Sequence, residues 1–553
     1  MADEVDVAKQ MQEVDAQVQQ IPTEPMNVEH PVQKPFWTSR AAMCRTFVAL
    51  TAMVILSDLT IYRAEGFAGA AVFLILGPVV LFAARPWTRA NQATFVCGFF
   101  LLCLAARLVW CGSELAVMCG AGVFLAFSIS LNGQKPFVAQ TLGLLGLSIP
   151  YGVEVVGYFF IGPRSVVTQE PSVRKASLLS VIVPMIAVGA FGLIFVSANP
   201  DLLNFISESI KPWVDSFWKW LTTFQFTEIL FWCGTLLLAA GLLHPLLPIR
   251  DDNDSVTEAT NQSAESTLYA ICRNTLVTLI GLFVLYLVFE FRTLWLREFP
   301  EGFYYAGYAH QGAAWLTAAL ALSTLILSLM FRGAMLNDPR EARLRKLAWA
   351  WSALNLLLAA SVFNRLLIYI DFNGMTRMRT VGLFGTSTVV AGFLLTLWKI
   401  RTRKRFLWLV RRDLWALAVA VVVYAITPVD WLIHTYNVRQ IMSGDLAPAV
   451  QITEHPVSSE GLLTLEPLLE CEDPIIRKGI AAMLTLYEQG LLSERTDSNR
   501  KNVPAHWTAH QWSVERLNHQ LDQTADRRTE IIGTDDNPAT LLDEFQTYAY
   551  QWY

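Results

Sequence analysis

Charge is what this sequence has least of. Only 16% of its 553 residues are Asp, Glu, Lys or Arg, while 54% are hydrophobic. A chain so apolar over such a length is not an ordinary soluble enzyme, and lipid is its expected main solvent. Cysteine pairs are missing too. None of the eight cysteines makes a CxxC pair, and Cys44, Cys97, Cys103, Cys111, Cys119, Cys233 and Cys272 lie in or beside apolar segments. They read as small buried hydrophobes rather than redox or metal groups. Cys471 stands in a polar stretch with no evident disulfide partner. No phosphate-binding glycine loop, serine nucleophile elbow or kinase motif set occurs. A basic start followed by a short apolar core and a small-residue cleavage site is also lacking, so the first apolar span is expected to serve as the membrane signal.

The charges that are present divide the chain into three regions. Residues 1–36 carry a net −5, the stretch from Asp430 to the end −10, and the middle +10. We read an acidic, disordered N-terminal segment (1–36), a transmembrane helical domain (37–429) and an extracytoplasmic helical tail domain (430–553). The expected fold is all-α, a polytopic transmembrane helix bundle with a small, mostly helical C-terminal domain.

A spanning helix takes about 20 mostly apolar residues, because the hydrocarbon layer is about 30 Å thick and each residue rises about 1.5 Å. Eleven segments qualify by eye: 46–62, 66–84, 93–111, 114–133, 177–198, 226–246, 269–291, 311–331, 347–369, 378–398 and 412–428. A twelfth stretch, 137–161, contains Gln140, Pro150, Glu154 and several glycines, so it reads as kinked, re-entrant or lying between other helices rather than crossing. Lys and Arg in short loops mark the cytoplasmic side. Arg332, Arg340, Arg343, Arg345 and Lys346 mark one such loop, and Lys399, Arg401, Arg403, Lys404, Arg405, Arg411 and Arg412 another. Arg85 with Arg89, and Arg164 with Arg174 and Lys175, place two earlier loops on the same side. Eleven spans, with the N-terminus in and the C-terminus out, fit these loops.

Between spans, 199–224 reads as an interfacial amphipathic helix and 251–266 as a flexible acidic loop. In the tail, Asp473 and Pro474 fit an N-cap and first helical position. Ile476, Ile480, Met483, Leu484 and Tyr487 follow at one-face spacing, and Gly490 is the expected stop. Weaker stripes are Trp512, Leu517 and Leu521, and then Leu541, Leu542, Phe545 and Tyr548.

Ionisable residues within spans are costly and therefore functional candidates. Asp58, Arg107, Glu290, Arg292, Arg365 and Asp371 all fall near the outward ends of spans, as does Asp430. With Asn364, Arg377 and Asn437 they form a candidate polar cluster. Its chemical reading is an outward-facing ligand or ion site. Its structural reading is a charge network that joins helices and docks the tail, with Asp371, Asp58 or Asp430 as the acid for Arg365 and Asn437 bridging backbone. Arg273 reads as a snorkelling anchor, and Asn355 and Asn364 as interhelical hydrogen-bonding residues. His506 and His510 have the i, i+4 spacing of a shared metal, with His519 and Asp522 nearby, but no glutamate stands between them as in a zinc protease, and no metal is assigned. No catalytic residue and no cofactor is assigned either. The basic 399–412 loop suits topology and anionic lipid rather than nucleic acid.

Three stretches together resemble a bacterial membrane family known as domain of unknown function 4173 and its relative 4153. They are Asn364-Arg365-Leu366-Leu367 through Tyr369, Asp371, Gly374, Thr376 and Arg377; Ser197-Ala198-Asn199-Pro200; and Asp430-Trp431-Leu432-Ile433 to Tyr436-Asn437-Val438-Arg439. The resemblance implies a multi-pass protein of the bacterial cytoplasmic membrane and brings no reaction with it. Three roles follow as expectations: a sensing or scaffold subunit, a transporter or channel, and a membrane enzyme. The expected partners are the lipid bilayer and other membrane proteins, not nucleic acid.

Overall fold

The computed structural model describes residues 40–84, 91–161, 226–243, 262–292, 305–331, 340–402, 404, 406–497, 506–533 and 536–552. The expected N-terminal segment 1–36, the span 177–198, the amphipathic stretch 199–224, the motif 197–200 and most of the acidic loop 251–266 lie outside these residues. The chain divides into two compact units, Met1–Val48 and Ala49–Tyr553. Of the first only residues 40–48 are described, as helix; the site lies wholly in the second.

Among the described residues the fold is all-α, without strands. The apolar helices are α1 (Arg40–Ser57, continued by a π-helical turn, Asp58–Tyr62), α2 (Phe67–Ala83), α3 (Gln92–Trp110), α4 (Glu114–Ser130), α5 (Val138–Ile161) and α6 (Phe226–Leu243). They continue with α7 (Gln262–Glu290), α8 (Tyr305–Met330), α9 (Glu341–Asn373), α10 (Arg377–Thr402) and α11 (Phe406–Ile426). Five stretches are long and apolar enough to cross a membrane: Ala41–Tyr62, Gln92–Trp110, Tyr269–Glu290, Ala342–Asn373 and Arg377–Thr402. A sixth arises if α11 and the next helix, bent by 63°, count as one. The chain is a membrane protein.

Segments 66–84, 114–133 and 226–246 give shorter apolar helices, Phe67–Ala83, Glu114–Ser130 and Thr227–Leu243, and within the longer α8 the apolar part is Trp315–Met330. Seventeen residues rise only about 25 Å, short of the hydrocarbon layer. The stretch 137–161 packs against α4, α6 and α11. It is a continuous helix despite Pro150, running antiparallel to α6. Small residues set that contact, since a Cβ on Gly152 would lie 1.9 Å from the Leu237 carbonyl oxygen, and one on Gly241 2.0 Å from that of Ser148.

Local chemistry sets the ends. Asn91 and Thr94 form a reciprocal capping box at α3, and Ser113 caps α4 through Ala116 N. Gly374, at φ +81°, ends α9 in a conformation that disfavours a side chain, and α10 begins three residues on. Helix direction then fixes two sets of ends. The turns at 62–67, 110–114, 373–377 and 426–429 lie toward the C-terminal region, whereas the basic turns around Arg340 and Lys404 lie at the far ends of α9, α10 and α11.

The C-terminal region comprises α12 (Val429–Met442), α13 (Ala449–Thr453), α14 (Ser459–Leu462), α15 (Pro474–Asp497), α16 (Trp512–Gln523), α17 (Ala525–Ile532) and α18 (Pro538–Ala549). It has a core of its own, with Val438, Ile441, Val450, Leu468, Ile476, Ile480, Leu517, Leu521, Leu541 and Phe545 buried together. Asp473 Oδ1 accepts from Ile475 N and Ile476 N at 2.9 and 3.1 Å, the expected N-cap. Gly490 does not end α15. A Cβ there would meet open space, and the helix continues to Asp497. Trp512, placed in an apolar stripe by its spacing, is exposed. Cys471 is buried and forms no disulfide, while Cys44 and Cys233 are exposed, against the expectation that they are buried.

Candidate functional site: a charged belt at the helix ends

The candidate residues form separate pairs rather than one cluster. Deepest is Glu290 at the end of α7. It accepts from Arg365 Nε at 2.7 Å and Nη2 at 2.6 Å, from Ser361 Oγ at 2.6 Å and from Tyr286 Oη at 3.0 Å. The side chains of Arg365 and Glu290 are 5% and 1% exposed. The acid for Arg365 is therefore none of Asp371, Asp58 or Asp430. Glu290 holds it because α7 packs along α9, while Asp58 and Asp430 are engaged elsewhere and Asp371 is exposed.

Asp58, in the π-helical turn, accepts from Trp232 Nε1 of α6 at 2.9 Å and pairs with Arg63 at 2.9 Å. Arg63 reaches on to Glu228 at 2.6 Å, and Tyr62 Oη lies 3.0 Å from Thr227 Oγ1. This set binds the end of α1 to the start of α6.

Two pairs reach into the C-terminal region. Arg107, in the last turn of α3, donates from Nη1 to Glu460 Oε2 at 2.6 Å and from Nη2 to Oε1 at 2.7 Å, and Trp110 Nε1 donates to Oε2 at 3.0 Å. Glu460, on α14, is 1% exposed. Arg377, at the start of α10, donates from Nε to Asp430 Oδ1 at 2.6 Å and from Nη2 to Oδ2. Between them Asn437 of α12, fully buried, accepts from Met375 N at 2.7 Å and donates to Met375 O at 3.0 Å, the backbone bridge its position called for. Arg379 stacks on the Tyr369 ring at 3.8 Å and donates to Gly374 O.

Of the other candidates, Arg292 and Asp371 are exposed and Asn364 is half-buried. Asn355 donates to Trp351 O of its own helix rather than across helices, and Arg273 is exposed beside Asn274. His506 Nδ1 lies 2.6 Å from Thr508 Oγ1, and His510 lies 3.6 Å from Glu515. Among the described residues no group of three or more His, Cys, Asp or Glu is placed to hold a metal.

Sequence reasoning placed Glu290 and Arg365 in the cluster without matching them, although a signal for the match existed: Tyr286, one turn before Glu290, and Ser361, one turn before Arg365, both donate to Glu290. Nothing local marked Glu460. His434, on α12 one turn after Asp430, was also missed. It is 5% exposed, and a side chain at Gly461 would meet its ring at 2.7 Å. Burial pushes the imidazole down to about 4 despite the upward pull of the Asp430 carboxylate.

In chemical terms the belt is a set of charge-assisted, mostly bidentate pairs whose donors and acceptors are largely spent on each other. Such an arrangement fixes helices and the C-terminal region in register. A family model described as Domain of unknown function (DUF4153) matches residues 68–454. No curated protein matches the chain, and no solved structure does. The matched residues include Arg107, Glu290, Arg365, Arg377, Asp430 and Asn437, whereas Glu460 lies just beyond them.

Proposed function

The chain belongs to the DUF4153 family, and from that premise we propose that it is a sensing or scaffold subunit of a membrane assembly. In this reading the C-terminal region, latched on the helix ends, presents the surface that partner membrane proteins meet. The observation that carries it is the Arg107–Glu460 pair, which spends a nearly buried cation of the bundle and a fully buried acid of the C-terminal region on holding the two together. We place the protein as a multi-pass component of a bacterial cytoplasmic membrane, with its N-terminus inside and its C-terminal region outside. The basic residues at the ends of α9, α10 and α11 remote from that region support this orientation.

Covalent crosslinking followed by purification of the full-length chain tests the role. A defined set of membrane partners attached to residues of the C-terminal region, and lost on Glu460→Ala, is the expected result. A chain that purifies alone from crosslinked membranes contradicts it. A tag at residue 553 should be reachable from outside and one at 399–405 should not.

A transporter is the second reading, favoured by charge held within the bundle. Besides Glu290 and Arg365, Lys399 of α10 is 1% exposed, and its ammonium donates to Ser328 O of α8 at 2.8 Å. Solute flux in proteoliposomes that disappears on Lys399→Met, with the fold retained, selects this reading over the first.

A further inference from the structure

Residues 506–511, just before α16, reach into the helix ends more deeply than a docked soluble region needs to. Thr508, fully buried, accepts from Glu65 N at 2.9 Å at the α1–α2 turn. Its methyl group would lie 3.1 Å from a Cβ on Gly69, the third residue of α2, so Thr508 reaches the level of the first turn of that helix. Ala509 lies against Gly66, where a Cβ would sit 2.8 Å from its Cα. Gln511 then accepts from Gly112 N at 3.2 Å at the α3–α4 turn, and Arg516 stacks 5.4 Å from the Trp110 ring. Residues 508–511 therefore bridge the turns that follow two membrane-crossing stretches, Ala41–Tyr62 and Gln92–Trp110.

On either side of this bridge the chain leaves an indole uncovered. Trp507 is 49% and Trp512 55% exposed. The last turns of the α1 stretch expose Leu59, Ile61 and Tyr62, an apolar surface suited to acyl chains. The two indoles flank residues that pack on the turns just past those helix ends. Indole combines an apolar body with one polar N–H, the chemistry of the layer where acyl chains give way to esters and headgroups.

We propose that residues 506–512 form a membrane-interface anchor, in which Trp507 and Trp512 sit in the ester and headgroup layer of the leaflet adjoining the C-terminal region. The C-terminal region is then held by two independent means, ion pairs to the bundle and aromatic contact with lipid. Either functional role is compatible with this anchor.

The test uses the full-length chain in nanodiscs of phosphatidylethanolamine and phosphatidylglycerol with a traceable acyl label. A benzophenone amino acid is placed at 507, at 512, or at 522. Position 522 is exposed at the far end of α16, about 15 Å further along the helix. Lipid adducts at 507 and 512 should exceed those at 522 by about tenfold or more. Equal yields at the three positions, or capture of a polypeptide instead of lipid at 507 in native membranes, overturn the anchor. The unmodified chain gives a second measurement, with phospholipids carrying a photoactivatable headgroup. Adducts are expected on the peptide containing 506–516 as well as on that containing 59–62. Labelling of 59–62 alone overturns the proposal.

Discussion

Arg107 and Glu460 stand 353 residues apart, yet they form a two-pronged ion pair that closes the end of α3 against α14, with Trp110 as a third donor to the same carboxylate. The acid is completely enclosed. An enclosed carboxylate is tolerated only while its donors remain in place, so this contact ties the position of the C-terminal region to the integrity of the bundle.

The Glu290–Arg365 pair is the corresponding lock within the bundle. Arg365→Ala takes the bidentate cation away from the buried Glu290, to which the Ser361 and Tyr286 hydroxyls still donate. It should cost about 3–5 kcal/mol, seen as a clear fall in the detergent-solubilised melting temperature. The double variant Glu290→Gln with Arg365→Met should recover most of the loss, because two neutral side chains carry no desolvation debt. Arg365→Ala without effect would mean that Glu290 is solvated or protonated in the native protein.

How far this was legible differs from residue to residue. The N-cap at Asp473 and the stripe through Ile476 and Ile480 are local patterns and were readable, whereas the stop at Gly490 was not, because an exposed glycine weakens a helix without ending it. Hydropathy gives a residue's depth in the membrane but not its bearing around the bundle. It therefore assigned Glu290 and Arg365 to one layer without matching them. Glu460 had no such layer to betray it, since its partner is fixed only by how the C-terminal region seats on α3. The continuous α5 was hidden by Pro150 and its glycines, which serve helix contact at Gly152 rather than a break.

Asn437 and Gly374 form a second joint, between α12 and the α9–α10 turn. Asn437→Ala removes both hydrogen bonds to the Met375 backbone and should cost about 1–3 kcal/mol. Gly374→Ala should be at least as harmful. Its φ is positive, and the new Cβ would lie 2.8 Å from Asn437 Oδ1 and from Pro448 Cβ. Thermal melts of both single variants check this, and a Gly374→Ala chain as stable as the parent contradicts it.

Acid should loosen the C-terminal region through His434. The groups facing its ring are Asp430 on its own helix, Arg377 from α10 and His455 from the loop before α14. With a folded value of about 4 against 6.5 when unfolded, the unfolded chain takes up the proton first as pH falls. Stability is therefore constant above about pH 6.5 and declines between there and pH 4, by on the order of 3 kcal/mol. Asp430 behaves differently. Burial raises its pKa, but the Arg377 pairing outweighs this and holds it below the ordinary value, so its contribution survives until lower pH. Melting temperatures at pH 8 and pH 5 should differ in the native chain and much less in His434→Leu. An equal pH dependence in both removes His434 from the explanation.

Gly152 and Gly241 should tolerate no side chain. Gly152→Val drives a branched Cβ into the Leu237 carbonyl and must part α5 from α6, lowering yield and melting temperature together. Gly157→Ala is the internal control, because a Cβ there meets nothing within 4 Å among the described residues, and it should be neutral or slightly stabilising.

The most direct measurement of the account is a double-mutant cycle on Arg107 and Glu460, read by hydrogen exchange across residues 449–552 in nanodiscs. Arg107→Ala and Glu460→Ala should each speed exchange throughout the C-terminal region while the amides of α9 and α10 stay protected. The double variant should be little worse than either single one, giving a coupling of about 2 kcal/mol or more. Additive effects, or exchange in the C-terminal region unchanged by either substitution, would contradict the claim that this pair latches the C-terminal region to the bundle.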